Sequence, residues 1–121
     1  MSMLFTAIAL AAAAPVAAKP AETPVAVVVT IPLPPQAPRD YIIGKFEEAV
    51  PQYQAIPGLM RKYFTISDDR KFGGIYLWKS RAAAQAWFTD AWKAKAVATY
   101  GVEPSVTYFD APVIIEGKNA K

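Results

Sequence analysis

The side chains here that could do chemistry are mostly aromatic: Tyr63, Phe64, Phe72, Tyr76, Trp78, Trp87, Phe88, Trp92, Tyr108 and Phe109. Most of such a set must fill a core or an interface. A subset can line an apolar cavity for a flat aromatic ligand, with a few polar tips to orient it. Tyr63, Tyr76, Trp78, Trp87 and Trp92 suit that role because each carries a polar atom on a large flat body. Phe88 and Tyr108 are added as ligand-contacting candidates. Arg61 and Lys62 could hold an oxyanion or could be surface charges. Asp110 and Asp90 are the carboxylates placed where a general base could stand.

The exclusions are sharper. The chain has no His and no Cys. A His-based triad, a thiol nucleophile and the usual zinc or haem-iron ligand sets are therefore out of reach. Asp68 and Asp69 could in principle hold a hard ion, but two acids followed by Arg70 and Lys71 read as a polar turn. No metal site is expected. No phosphate-binding glycine loop precedes a helix. Gly73 and Gly74 lie in a strand pattern, where they permit a bulge or close backbone approach.

These residues need a scaffold, and 121 residues fit one small domain. Apolar residues make up 54% of the chain, enough for a packed core, and charged residues are too few at 19% for a disordered one. The net charge of +3 is spread among acids, so a solvated mixed surface is expected and no nucleic-acid partner.

Residues 1–18 carry no charged side chain and are rich in Ala and Leu. A short apolar run that ends in small residues is the pattern of a secretory signal peptide. Cleavage after Ala18 would leave Val16 and Ala18 at the two small-residue positions. The run falls short of the ~20 residues that span a bilayer, so no membrane association is expected after removal. Export, periplasmic or secreted, follows. Residues 19–24 read as a linker, 25–116 as the domain and 117–121 as a tail.

Val25 to Ile31 is a β-branched run between prolines and predicts a first strand. Pro38 suits the first turn of a helix carrying Ile42, Ile43, Phe46 and Val50, with Pro51 ending or kinking it. Leu59 to Ile66 predicts a second strand, in which Leu59, Arg61, Tyr63 and Thr65 alternate with Met60, Lys62, Phe64 and Ile66. Phe72 to Trp78 predicts a third, antiparallel to it. Ser80 is an N-cap candidate for a helix running from Ala82 to Tyr100, and Gly101 is its stop. Val106 to Asp110 predicts a fourth strand, and Val113 to Ile115 a short extra one.

The order β-α-β-β-α-β, with that added strand, is the ferredoxin-like arrangement in the α+β class. Two helices cover only one face of its sheet. Ile75 and Leu77 alternate with Phe72, Tyr76 and Trp78, so the other face is apolar too. A homodimer with sheet facing sheet is the economical way to cover it.

With the elements placed, four segments resemble one family: Ile56 to Tyr63, Gly73 to Trp78, the helix from Ser80 into Trp92, and Tyr100 to Pro104. Together they resemble the small mono-oxygenase-like proteins of the antibiotic-biosynthesis-monooxygenase-like superfamily. The resemblance runs from about Val25 to Glu116. It implies a dimeric α/β barrel with a cavity between sheet and helices in each protomer. It also implies an oxygenase that needs no cofactor, acting with dioxygen on a phenol- or hydroquinone-like substrate. On that reading Tyr76, Trp78, Arg61 and Asp110 are the catalytic candidates. Tyr63, Trp87, Phe88, Trp92 and Tyr108 contact the ligand. Haem-degrading relatives that rely on an axial histidine are poor guides, since this chain has none. The Asn used by some anthrone-oxidising relatives is also missing here, because the sole Asn is Asn119.

Two other readings remain. The same cavity could serve a noncatalytic exported module that binds small apolar or aromatic ligands. An RNA-recognition domain shares the element order, and Arg70 to Ile75 has the outline of its aromatic motif. That motif needs a second aromatic where Gly74 stands.

Overall fold

Val25, Val27, Val29 and Ile31 occupy alternate positions of one strand, and all four are buried. Each removes a branched aliphatic group from water, which stabilises a fold by roughly 1.5–3 kcal/mol per side chain. In the computed structural model, which describes residues 22–120, this strand is β1 (Val25–Pro32). It is followed by α1 (Arg39–Gln54), β2 (Leu59–Ile66), β3 (Lys71–Trp78), α2 (Arg81–Trp87), α3 (Asp90–Tyr100) and β4 (Ser105–Asp110). The strands form one antiparallel sheet in the order β2-β3-β1-β4, the ferredoxin-like arrangement expected from the sequence. The expected signal peptide lies outside the described residues, as does the first half of the linker, 19–21.

The pairing fixes what each face carries. Val27 stands opposite Tyr76 and Tyr108, and Val25 opposite Trp78, so these aromatic rings share the inner face with the buried β1 residues. Gly73 lets β3 pass close to β1: a Cβ there would collide with the carbonyl of Val29. Close backbone approach is one of the two roles expected of this glycine pair, the other being a bulge.

β2 holds a bulge. Leu59 pairs with Trp78 and Arg61 with Leu77, so Met60 is an extra residue on its strand. The strict alternation read from the sequence put Leu59 on the face of Arg61 and Tyr63. The bulge instead gives Leu59 to the inner face, where it stands opposite Trp78 and packs on the core.

Helix ends follow local chemistry. The Ser80 hydroxyl accepts from the Ala83 N–H at 3.1 Å, and Gly101 ends α3 in the left-handed region at φ 81°. The single helix expected from Ala82 to Tyr100 is in fact two. Phe88 leaves helical geometry at ψ 66°, and Thr89 caps a new helix by accepting from the Trp92 N–H at 3.1 Å. Pro51 sits inside α1, which runs on to Gln54.

The expected strand at Val113 to Ile115 is also corrected, because that segment forms no ladder. Pro112 offers no N–H to a ladder. The segment instead borders the outer face of the sheet. Among the described residues, no helix is long and apolar enough to cross a membrane.

Candidate active site

Between the inner face of the sheet and helices α1 and α3 lies a cavity of about 640 Å³. Tyr53 and Phe46 reach it from α1, Phe64 and Lys62 from β2, Tyr76 from β3, Trp87 from α2 and Trp92 from α3. The rings brace one another. Phe46 stacks on Phe64 at 5.0 Å, and Tyr53 meets Phe64 and Trp87 edge-on at 5.4 and 5.7 Å. A second hollow of about 450 Å³ lies on the opposite face, between the sheet and the segment from Val113 to Ala120.

Lys62 is the unusual member of the inner cavity. Its Nζ lies 3.3 Å from the centre of the Tyr53 ring, 3.9 Å from Phe64 and 4.5 Å from Tyr76. It makes no hydrogen bond and no ion pair among the described residues. Burial pushes its ammonium down to about 7 from an ordinary 10.5. The three ring faces act the other way, since each attracts a cation. Burial thus brings the amine's proton exchange down toward neutral pH.

The lysine fits because of Gly74. A Cβ at that position would stand 2.7 Å from the Lys62 Cε. Lys62 and Tyr76 are direct cross-strand partners, so the stem of the lysine crosses β3 beside the Tyr76 ring. Burial holds the phenols of Tyr53 and Tyr76 above their ordinary value. Both therefore stay neutral hydroxyl groups at physiological pH.

The residues singled out in the sequence do not all meet at the cavity. Tyr76, Trp87 and Trp92 line the cavity. Trp78 and Phe88 stand behind it: Trp78 is 0% exposed, stacks on Tyr76 at 5.9 Å and meets Phe88 edge-on. Tyr108 lies on the same sheet face toward the β4 edge, with the Arg81 guanidinium 5.2 Å from its ring. Arg61 and Tyr63 are on the outer face, where the guanidinium donates to the Tyr63 hydroxyl at 3.3 Å. Asp110 is at the exposed sheet edge and accepts from Arg81 at 3.0 Å. Arg61 and Asp110 are thus separated from the cavity, as alternation along β2 requires for Arg61. Asp90, at the start of α3, is exposed and does not line it either.

The indole N–H groups of Trp78 and Trp87 are buried and have no acceptor among the described residues. Such a donor costs roughly 1–3 kcal/mol when left unpaired. Trp87 lines the cavity, so a ligand oxygen could satisfy it. No Asp or Glu lines the cavity among the described residues, and no group of three or more potential metal-ligating side chains occurs among them.

No protein-family model matches the chain. No curated protein matches it either. Solved structures do. A Nitrosomonas europaea protein of unknown function superposes with a TM-score of 0.61 at 15% identity, over 81% of this chain and 97% of that one. The ActVA-Orf6 monooxygenase of Streptomyces coelicolor, solved in complex with nanaomycin D, gives 0.57 at 19% identity over 83% and 96%. SnoaB of Streptomyces nogalater, a cofactor-independent oxygenase, gives 0.55 at 15% identity over 78% and 99%. This chain shares its fold with these three proteins. The similarity extends over nearly the whole length of each of these three structures.

Proposed function

We propose that this protein is a monooxygenase-like enzyme that admits a small phenol- or hydroquinone-like aromatic to the inner cavity and oxidises it with dioxygen. The observation that carries this reading is the cavity itself. It is walled by aromatic rings, holds neutral hydroxyl groups and the buried amine of Lys62 with Lys45 and Lys95 at its border, and among the described residues is lined by no carboxylate. Such a wall suits a flat, electron-rich ring with an ionisable oxygen. The shared fold with SnoaB and ActVA-Orf6 supports it, as one is a cofactor-independent oxygenase and the other a monooxygenase.

The chemistry closes without a cofactor. An ionised phenol passes one electron to dioxygen, and the radical pair recombines at a ring carbon as a hydroperoxide. Loss of water across the ring C–H and the O–O bond leaves a quinone. One oxygen atom enters the product and the other becomes water. The protein's part is to exclude solvent and to hold the oxyanion beside a cation and hydroxyl donors.

The reading includes a homodimer and export. Tyr63, Ile75 and Phe109 are 54%, 42% and 50% exposed on the outer face. A second copy would cover them. Cleavage after Ala18 would give a mature protein starting at Lys19, and mass spectrometry of the exported fraction should find that terminus.

Oxygen uptake with a panel of hydroquinones, anthrones and catechols tests the function. Consumption that depends on the protein and disappears in the cavity-filling variant Ala49→Trp is the expected result. Saturable quenching of tryptophan fluorescence with no uptake across the panel would leave the noncatalytic binding module instead.

A further inference from the structure

We infer that Lys62 is the proton acceptor for a bound phenol, so that the ligand sits in the cavity as a phenolate beside a caged ammonium. This rests on the reading that the cavity takes phenols. It adds the group that ionises them.

Four observations converge on Lys62. Its Nζ lies within the cavity wall, at 3.3–4.5 Å from three ring centres. It has no partner of its own among the described residues, so a phenolate oxygen would be its counter-ion. Gly74 is shaped around its stem, because a Cβ there would meet Cε at 2.7 Å. Finally, the other titratable groups that line the cavity cannot compete. Tyr41, Lys45 and Tyr53 of α1, Tyr76 of β3, and Lys95 and Tyr100 of α3 are hydroxyl groups or cations. None is a carboxylate that would hold the ammonium or take the proton first.

Burial supplies the poise, drawing the amine to about 7. A general base works best with a pKa near the operating pH. The proton moves from the phenol O–H to Nζ, and no other bond changes. The three ring faces then stabilise the ammonium. After dioxygen has added, the ammonium returns the same proton to the peroxide, which loses water as described above. Lys62 ends as the neutral amine with which it began.

Binding of 4-nitrophenol to the purified protein provides a readout that needs no turnover, because its phenolate absorbs in the visible and its phenol does not. Bound to wild type, the reporter should ionise at a lower pH than it does free in solution. Lys62→Met should bind it as the neutral phenol and should lose oxygen uptake by about 100-fold or more, the usual contribution of a positioned base. Lys62→Arg should keep phenolate binding, as a permanent cation, while losing the pH dependence of uptake near neutrality. If Lys62→Met and wild type ionise the reporter alike, or wild type binds only the neutral phenol, the inference falls while the cavity reading stands. If no phenol binds and no oxygen is consumed, both fall. Stability of the variants is read alongside by chemical denaturation, so a folding defect cannot mimic loss of the base.

Discussion

A Cβ on Gly74 would stand 2.7 Å from the Cε of Lys62, so the missing side chain on β3 is the space that the lysine on β2 occupies. Adjacent strands thus divide one task. β2 supplies the amine, and β3 supplies both the gap and the Tyr76 ring beside it.

Gly74→Ala should therefore act on Lys62 first. The added methyl also falls 3.1 Å from the Tyr63 carbonyl oxygen and from the Tyr76 ring. Overpacking of this kind costs about 1–3 kcal/mol. Denaturant melts should show that loss, and 4-nitrophenol should bind without the ionisation shift that wild type gives it.

Stability should depend on pH through Lys62. In the folded chain its proton leaves near 7, and in the unfolded chain near 10.5. Between those values the unfolded state binds the extra proton, so stability rises with pH across that window. It is lowest below about 7, where both states carry the charge. Lys62→Met should abolish this rise and stabilise the protein at neutral pH by about 1–3 kcal/mol. Chemical denaturation from pH 6 to pH 10, as a ~4-unit scan, reads both effects. A variant that gains stability while losing oxygen uptake marks Lys62 as kept for function.

Filling the cavity should remove binding without unfolding the chain. Ala49 lines it from α1 and is half-buried. Ala49→Trp should weaken the affinity for aromatic ligands, read from tryptophan quenching, at least ~10-fold, equivalent to about 1.4 kcal/mol. Circular dichroism should remain that of the wild type.

The outer face predicts the oligomeric state. Ile75→Lys places a charge in the middle of the apolar patch that Tyr63 and Phe109 share. Light scattering should give a dimer for the wild type and a monomer for the variant. A wild-type monomer at micromolar concentration would remove the dimer from the proposal.

Much of the architecture was legible in the sequence. Prolines bounded β1, Ser80 and Gly101 marked helix ends, and the short turn at Asp68 to Lys71 set β2 against β3. The break at Phe88 and Thr89 was not, because residues on both sides of it favour helix. Only the Thr89 cap and the packing of Phe88 against Tyr76, Trp78 and Trp92 distinguish it. The extra strand failed for another reason. β-branched residues at Val113 to Ile115 state a preference, but a strand also needs a neighbour to bond.

The site was legible as a set of rings and not as a geometry. Arg61 and Lys62 were equivalent as a pair of neighbouring cations. Alternation alone puts Lys62 with Phe64 and Arg61 with Tyr63, and that was the usable signal. Which of the two faces carries the helices decides the chemistry. The fully buried positions of β1, aligned with Tyr76 and Trp78, settle it.

The extra residue at Met60 has a consequence for how this strand could change. Removing it would join Leu59 directly to Arg61 and restore an unbroken alternation with no shift of partners, since Trp78 and Leu77 already face those two residues in succession. Leu59 would still point inward, Arg61 outward and Lys62 inward. β2 can thus lose one residue at this point, and only this kind of deletion, while the amine stays in place. A length difference there between related chains would be silent for the site, whereas a deletion between Arg61 and Phe64 would turn Lys62 or its neighbours to the opposite side.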